Sequence, residues 1–222
     1  MGRGMRLLCA GALLACLAGC RTETVSQAFL DAFRSYRPEQ APLQLSTDLD
    51  PKFRYLRVQK GRRDMFVALG YVDQSPAGPI EVWYSPKYEV LRLSDGRLVG
   101  ASLGMGTDWR SVSFKELPRW NEIGEQAVFE RQRDVSPGYR FGVREKMRIR
   151  RIAAPADSNL KLLSVSSLAW FEEQALDGDL PPTRYGVDMS GAKPQVVYAE
   201  QCLSDIECFS WQRWPPRKAG RQ

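Results

Sequence analysis

From residue 53 onward the chain alternates. Phe53-Arg54-Tyr55-Leu56-Arg57-Val58 places apolar and basic residues in turn, the period of a strand with one buried face. Lys60-Gly61-Arg62-Arg63 reads as a turn, and residues 64–71 as a second strand rich in Phe, Val and Tyr. Residues 73–79 carry Pro76, Gly78 and Pro79 and read as a loop. Residues 80–85 and 88–93 read as strands. Asp95-Gly96 then predicts a tight hairpin turn into 97–103, followed by a short strand over 109–114.

The most patterned stretch is the pair 126–135 and 139–151 around Ser136-Pro137-Gly138. In its second arm Tyr139, Phe141, Val143, Met147 and Ile149 share one predicted face. Arg140, Arg144, Lys146, Arg148 and Arg150 share the other. Pairing Val135 with Tyr139 would set Asp134 opposite Arg140 and Glu130 opposite Arg144. Lys146, Arg148 and Arg150 would then stand without acidic partners. Residues 160–170 read as a long buried strand, residues 177–182 as a loop. Residues 184–188 and 195–199 form a last predicted hairpin around Ser190-Gly191. Trp211 to Gln222 is basic and contains Pro215-Pro216, and reads as a frayed tail.

The first residues follow another rule. Arg3 and Arg6 precede an apolar run from Leu7 to Leu17, too short for a permanent transmembrane helix. The run ends in Leu17-Ala18-Gly19-Cys20, which resembles the bacterial lipobox. That resemblance implies cleavage before Cys20 and lipidation, including palmitate, of its thiol. A signal peptide at 1–19 is thus followed by one β-rich domain over 20–210 and a tail over 211–222. Arg21 after the cysteine, rather than Asp, implies the outer membrane, periplasmic side. Thr24-Val25-Ser26-Gln27 fits a capping box, and Val25, Phe29, Phe33 and Tyr36 lie on one helical stripe before Pro38. A short helix over Thr24 to Tyr36 is the expectation.

Charge and composition narrow the chemistry. The net charge of +6 falls to +4 when the two signal-peptide arginines are removed, and is too evenly spread to imply nucleic acid. The chain contains no histidine. It therefore lacks the commonest general base and the commonest transition-metal ligand. Cys9 and Cys16 leave with the signal and Cys20 takes lipid. Cys202 and Cys208 remain, in a compartment that would be oxidising, and a disulfide between them is expected.

A resemblance covers the chain from the signal to about Leu203. Tyr55-Leu56-Arg57-Val58, Gly61-Arg62 and Phe66-Val67-Ala68-Leu69-Gly70-Tyr71 resemble the hallmark segment of the group 4 capsule polysaccharide lipoproteins, the YjbF type. Trp170 with Glu172 and Glu173, and Tyr185-Gly186-Val187-Asp188, agree in order. The Cys202/Cys208 pair and the Trp-Pro tail depart from that pattern. The resemblance implies an exported, mainly antiparallel β lipoprotein that works beside components of capsule or exopolysaccharide secretion. It carries over no catalytic residue.

Patterns for catalysis are weak. Ser158-Asn159-Leu160-Lys161 matches S-x-x-K without its partner motifs. Gly104-Met105-Gly106 lacks the third glycine of a dinucleotide loop. Glu172, Glu173, Asp177 and Asp179 could pair for acid–base work or hold calcium, but adjacent residues of a strand face opposite ways. The sequence therefore predicts a mainly β fold, a curved antiparallel sheet forming a half-barrel or open barrel with the N-terminal helix packed against it. The expected function is a non-enzymatic accessory of polysaccharide secretion that docks protein partners, without cofactor or metal. Direct binding of acidic polysaccharide is the second reading. Its candidate contacts are the basic row Lys146, Arg148, Arg150 and the rings of Trp83, Trp109 and Trp120. Those rings would have to line one open groove.

Overall fold

The structure is a computed structural model that describes residues 49–104 and 106–216. The lipobox and the Thr24–Tyr36 helix lie outside the described residues. Twelve strands follow one another: β1 Tyr55–Lys60, β2 Arg63–Ser75, β3 Gly78–Tyr84, β4 Val90–Ser94, β5 Arg97–Ser102, β6 Asp108–Lys115, β7 Gln126–Ser136, β8 Arg140–Ile152, β9 Ala169–Ala175, β10 Thr183–Asp188, β11 Gln195–Cys202 and β12 Cys208–Trp214. Each pairs antiparallel with its neighbours in sequence, and β1 pairs with β12, so the sheet closes into a barrel. Closure corrects the expected half-barrel or open barrel. It satisfies the backbone of the first and last strands, which would otherwise be exposed edges.

The closing strand contains residues assigned to the tail. Trp211 lies opposite Val58 and Trp214 opposite Tyr55, and both indoles are buried. The domain therefore runs through Trp214. The long strand expected over 160–170 is also corrected. Residues 153–168 form an irregular strap with one 3-10 turn at Val165–Ser167, and β9 begins only at Ala169. Leu162 sits on that strap with a positive φ of 59° and is exposed.

Alternation explains what fills the barrel. Leu56, Val58, Val67, Trp83, Leu91 and Phe129 belong to one continuous buried cluster fed by inward positions around the wall. Charged side chains dominate the outward positions of β7 and β8. A lumen packed mainly with apolar side chains, its few charges paired, and a charged exterior are the reverse of a membrane-spanning barrel. A second cluster, Tyr55, Phe66, Ala68 and Trp214, lies beneath Leu49 and Phe53. Gly96 is required where it stands. Its φ is +77°, and a Cβ there would lie 2.3 Å from Cβ of Val196.

The register of the central hairpin differs from the expected one. Val135 lies opposite Arg140, Glu130 opposite Lys146, and Gln132 opposite Arg144. The shift falls at Gly142, whose φ of 63° accommodates an extra residue on β8. Its N–H donates to Oδ1 of Asp134 at 2.7 Å. One extra residue reverses the alternation of faces. Tyr139 and Phe141 therefore stand exposed rather than on the buried face with Met147 and Ile149.

Candidate functional site on the outer wall

Three candidate regions emerge: the lumen charges, the strap, and the outward face of β6 to β8. In the lumen, Arg97 is fully buried and its Nε donates to Oε2 of Glu173 at 3.3 Å. The guanidinium lies 3.8 Å over the Trp120 ring, a contact that stabilises a cation removed from water. Arg133 and Arg131 both donate to Glu145, at 2.7 and 2.8 Å. Arg133 also lies 4.6 Å over the Trp109 ring. Burial pushes the Glu145 carboxyl up, and the hydrogen bonds from Arg133 and Arg131 outweigh it, so its pKa sits below the ordinary value. These are structural ion pairs around buried indoles.

The three tryptophans proposed for sugar stacking are thereby placed. Trp83, Trp109 and Trp120 are all buried, and none lines an open groove. Trp109 Nε1 donates to the Leu203 carbonyl, and Trp120 Nε1 to the Asp95 carbonyl, each at 3.0 Å. They belong to the core. The four acidic residues are likewise separated. Glu172 points outward to Arg150, Glu173 inward to Arg97, and Asp177 and Asp179 lie in the β9–β10 loop. Among the described residues no group of three or more Cys, Asp or Glu could hold a metal ion.

The strap is held to the wall by side chains. The Gln212 amide donates to the Lys161 carbonyl at 2.7 Å and accepts from its N–H at 2.9 Å. Asn159 N–H donates to the Tyr198 hydroxyl at 2.7 Å. Burial first, then the adjacent Glu200, holds the Tyr198 phenol well above its ordinary pKa. Arg57 donates to both oxygens of Asp64 at 2.7 and 2.8 Å and to the Asn159 carbonyl at 3.2 Å. Arg57, part of the hallmark-like segment, thus fastens β1 to β2 and to the strap. Arg184 on β10 pairs with Asp157 and Glu200. Cys202 and Cys208 face each other across β11 and β12 and are joined in a disulfide, as the cysteine count predicts.

Among the described residues the outer wall keeps some cations outside any ion pair. Lys115 on β6, Glu130 and Gln132 on β7, and Arg144 and Lys146 on β8 line a groove of about 530 Å³ with Ser113. Lys115 lies 3.9 Å from Glu130. Among the described residues Arg144, Lys146 and Arg148 form no ion pair. Arg150 does, donating to Oε1 of Glu172 at 3.0 and 2.6 Å. The free basic row is therefore Arg144, Lys146, Arg148, one step along β8 from the expected Lys146, Arg148, Arg150. Sequence reasoning missed Arg144 because the guessed register gave it Glu130. It also missed Glu172 as the Arg150 partner, because strand adjacency of β8 and β9 was not readable.

No protein-family model matches the chain, and no curated protein matches it. Among solved structures, the hypothetical lipoprotein YmcC from Escherichia coli (K12) is similar. It superposes with a TM-score of 0.54 over 75% of this chain and 85% of that chain, at 15% sequence identity. At that identity the likeness is one of fold.

Proposed function

We propose that this protein is a lipid-anchored accessory of capsule or exopolysaccharide secretion. It would be held by acylated Cys20 at the outer membrane, facing the periplasm, and act without catalysis by docking partner proteins. The observation that carries the docking is the groove on β6 to β8, where Arg144 and Lys146 face solvent with no acidic partner among the described residues. Three cations spaced about 6–7 Å apart along one strand repel one another unless solvated or met by an acidic surface. Lysine offers a point charge and arginine a bidentate fork, so a row of both suits carboxylates at varied angles. The lipobox-like Leu17-Ala18-Gly19-Cys20 supports the anchor. The fold shared with a protein described as a lipoprotein is consistent with it.

The test is capture from an envelope extract by the exported protein and by Arg144→Glu/Lys146→Glu/Arg148→Glu. Loss of a partner in the folded triple variant, and weakening by salt in the wild type, are expected. Undiminished capture by that variant would refute the docking assignment. A second reading, direct contact with acidic polysaccharide, is favoured by the hydroxyl of Ser113 and the amide of Gln132 beside the cations. Binding of a purified uronic-acid polymer by the wild type, and not by the triple variant, would select it.

A further inference from the structure

The two ends of the barrel carry different chemistry. The turns β1–β2, β3–β4, β5–β6, β7–β8, β9–β10 and β11–β12 share one end, because every strand is antiparallel to its neighbours. On this end Tyr88 and Tyr139 are 80% and 82% exposed, and Phe141 is 67% exposed. Tyr88 belongs to the β3–β4 turn. Tyr139 and Phe141 belong to the β7–β8 hairpin, their rings 6.4 Å apart.

Tyr88 and Tyr139 break two rules at once. Large aromatics are normally buried, and a bulky residue is rarely found at positive φ. Yet Tyr88 has φ of 65° and Tyr139 of 50°. Gly, Asn or Asp would occupy such a turn position with less strain. Strain and apolar exposure at the same residues mark a contact surface rather than a folding requirement.

Charge on the same arc indicates what the contact is. Arg62 and Arg63 lie on the β1–β2 turn, Lys87 beside Tyr88, and Arg140 between Tyr139 and Phe141. Most acids of this end, Asp177, Asp179, Asp205 and Glu207, fall on the β9–β10 and β11–β12 turns instead; Glu89, beside Tyr88, is half-buried and accepts from the Ser85 hydroxyl at 2.6 Å. One arc of the rim therefore presents aromatic rings flanked by cations. The rings stand on two turns, Tyr88 on β3–β4 and the Tyr139–Phe141 pair on β7–β8. Exposed rings with adjacent cations suit an interface of apolar chains beneath phosphate groups, where rings lodge at headgroup depth and cations meet the phosphates.

We infer that the arc from β1 to β8 at this end is a membrane-contact surface for anionic phospholipid. Tyr88, Tyr139 and Phe141 enter the headgroup layer, while Arg62, Lys87 and Arg140 bind its phosphates. The anchor tethers the chain, and this arc sets how the barrel leans on the bilayer. Contact at this end would leave the groove on β6 to β8 facing sideways along the membrane.

Every native tryptophan is buried, so an added surface tryptophan can be followed against a protected background. The exported full chain is prepared with Tyr139→Trp, and separately with Ala77→Trp at the β2–β3 turn of the opposite end. Both are placed on vesicles of phosphatidylcholine with brominated acyl chains, with and without phosphatidylglycerol. The added emission of Tyr139→Trp should be quenched and shifted to the blue on anionic vesicles. Salt should weaken the effect, and Arg62→Glu/Lys87→Glu/Arg140→Glu should abolish it. Ala77→Trp should stay at its value in water. Equal behaviour of the two probes on every vesicle would overturn the inference. A shift at Tyr139→Trp caused by an envelope protein fraction but by no vesicle would assign the arc to a protein partner, and would overturn it as well.

Discussion

Glu145 and its neighbours Arg144 and Lys146 are consecutive on β8, yet they live in different electrostatic worlds. Glu145 turns into the barrel, where Arg131 and Arg133 hold it with three hydrogen bonds of 2.7 to 2.8 Å. Arg144 and Lys146 turn outward and meet solvent. A buried charge must be paired, because removing it from water costs several kcal/mol per ion. An exposed charge need not be, because water and salt screen it. Unpaired cations are therefore permitted only on the outside, and there they are free to meet a partner. The difference teaches where to look for function in a filled barrel: on the wall and rim, not in the lumen.

The largest effect should come from breaking the inner side of this contrast. Glu145→Ala leaves two guanidinium groups buried without their carboxylate and should cost about 3–5 kcal/mol, read by denaturant unfolding. A loss below about 1 kcal/mol would mean that water reaches the pair and that the inside is not dry. Comparable damage, about 3–5 kcal/mol, is expected from Trp211→Ala, because Trp211 is fully buried in the strand that closes the barrel. If residues 211–214 were a tail, that substitution would be silent. Gly96→Ala should cost about 1–3 kcal/mol through overpacking against Val196 and strain at positive φ. The same thermal or denaturant measurement checks it.

Acid sharpens the comparison without mutation. The pKa of Glu145 is lowered in the folded state, so its contribution is full above the unfolded value of about 4.3. As pH falls below that, the unfolded chain takes the proton first, and the contribution disappears as pH passes the folded pKa. Wild type should therefore lose part of its stability over this range, and Glu145→Gln should lose less. Identical pH profiles would remove Glu145 from the acid response. The smallest stability effect belongs to the outer wall. Arg144→Glu/Lys146→Glu/Arg148→Glu should change unfolding free energy by no more than about 0.5 kcal/mol per site, while abolishing partner capture.

How much was readable follows from which interactions are local. The Asp95-Gly96 turn and the Ser136-Pro137-Gly138 hairpin are encoded over a few residues, and each appears where the pattern placed it. The Cys202–Cys208 bridge follows from cysteine count and short separation. The candidate site was half readable. The basic parity of β8 was visible, but which cations stay free depended on Glu172 of β9 and on the register with β7. The aromatic trio was misplaced because a tryptophan in a strand looks alike whether its face turns to the lumen or to solvent.

The sequence by itself determined that the described chain would be antiparallel β, that its hairpins would fall near these turns, and that Cys202 would meet Cys208. Each depends on period-two patterning, turn chemistry or proximity along the chain. Only the tertiary structure decided closure, since pairing β1 with β12 joins residues more than 150 positions apart in sequence, as in Tyr55 with Trp214, and no local pattern reports such a bond. Tertiary structure also decided the faces of Tyr139 and Phe141. A single extra residue at Gly142 reverses the alternation, and whether a glycine in a strand makes a bulge depends on the partner strand that must accommodate it.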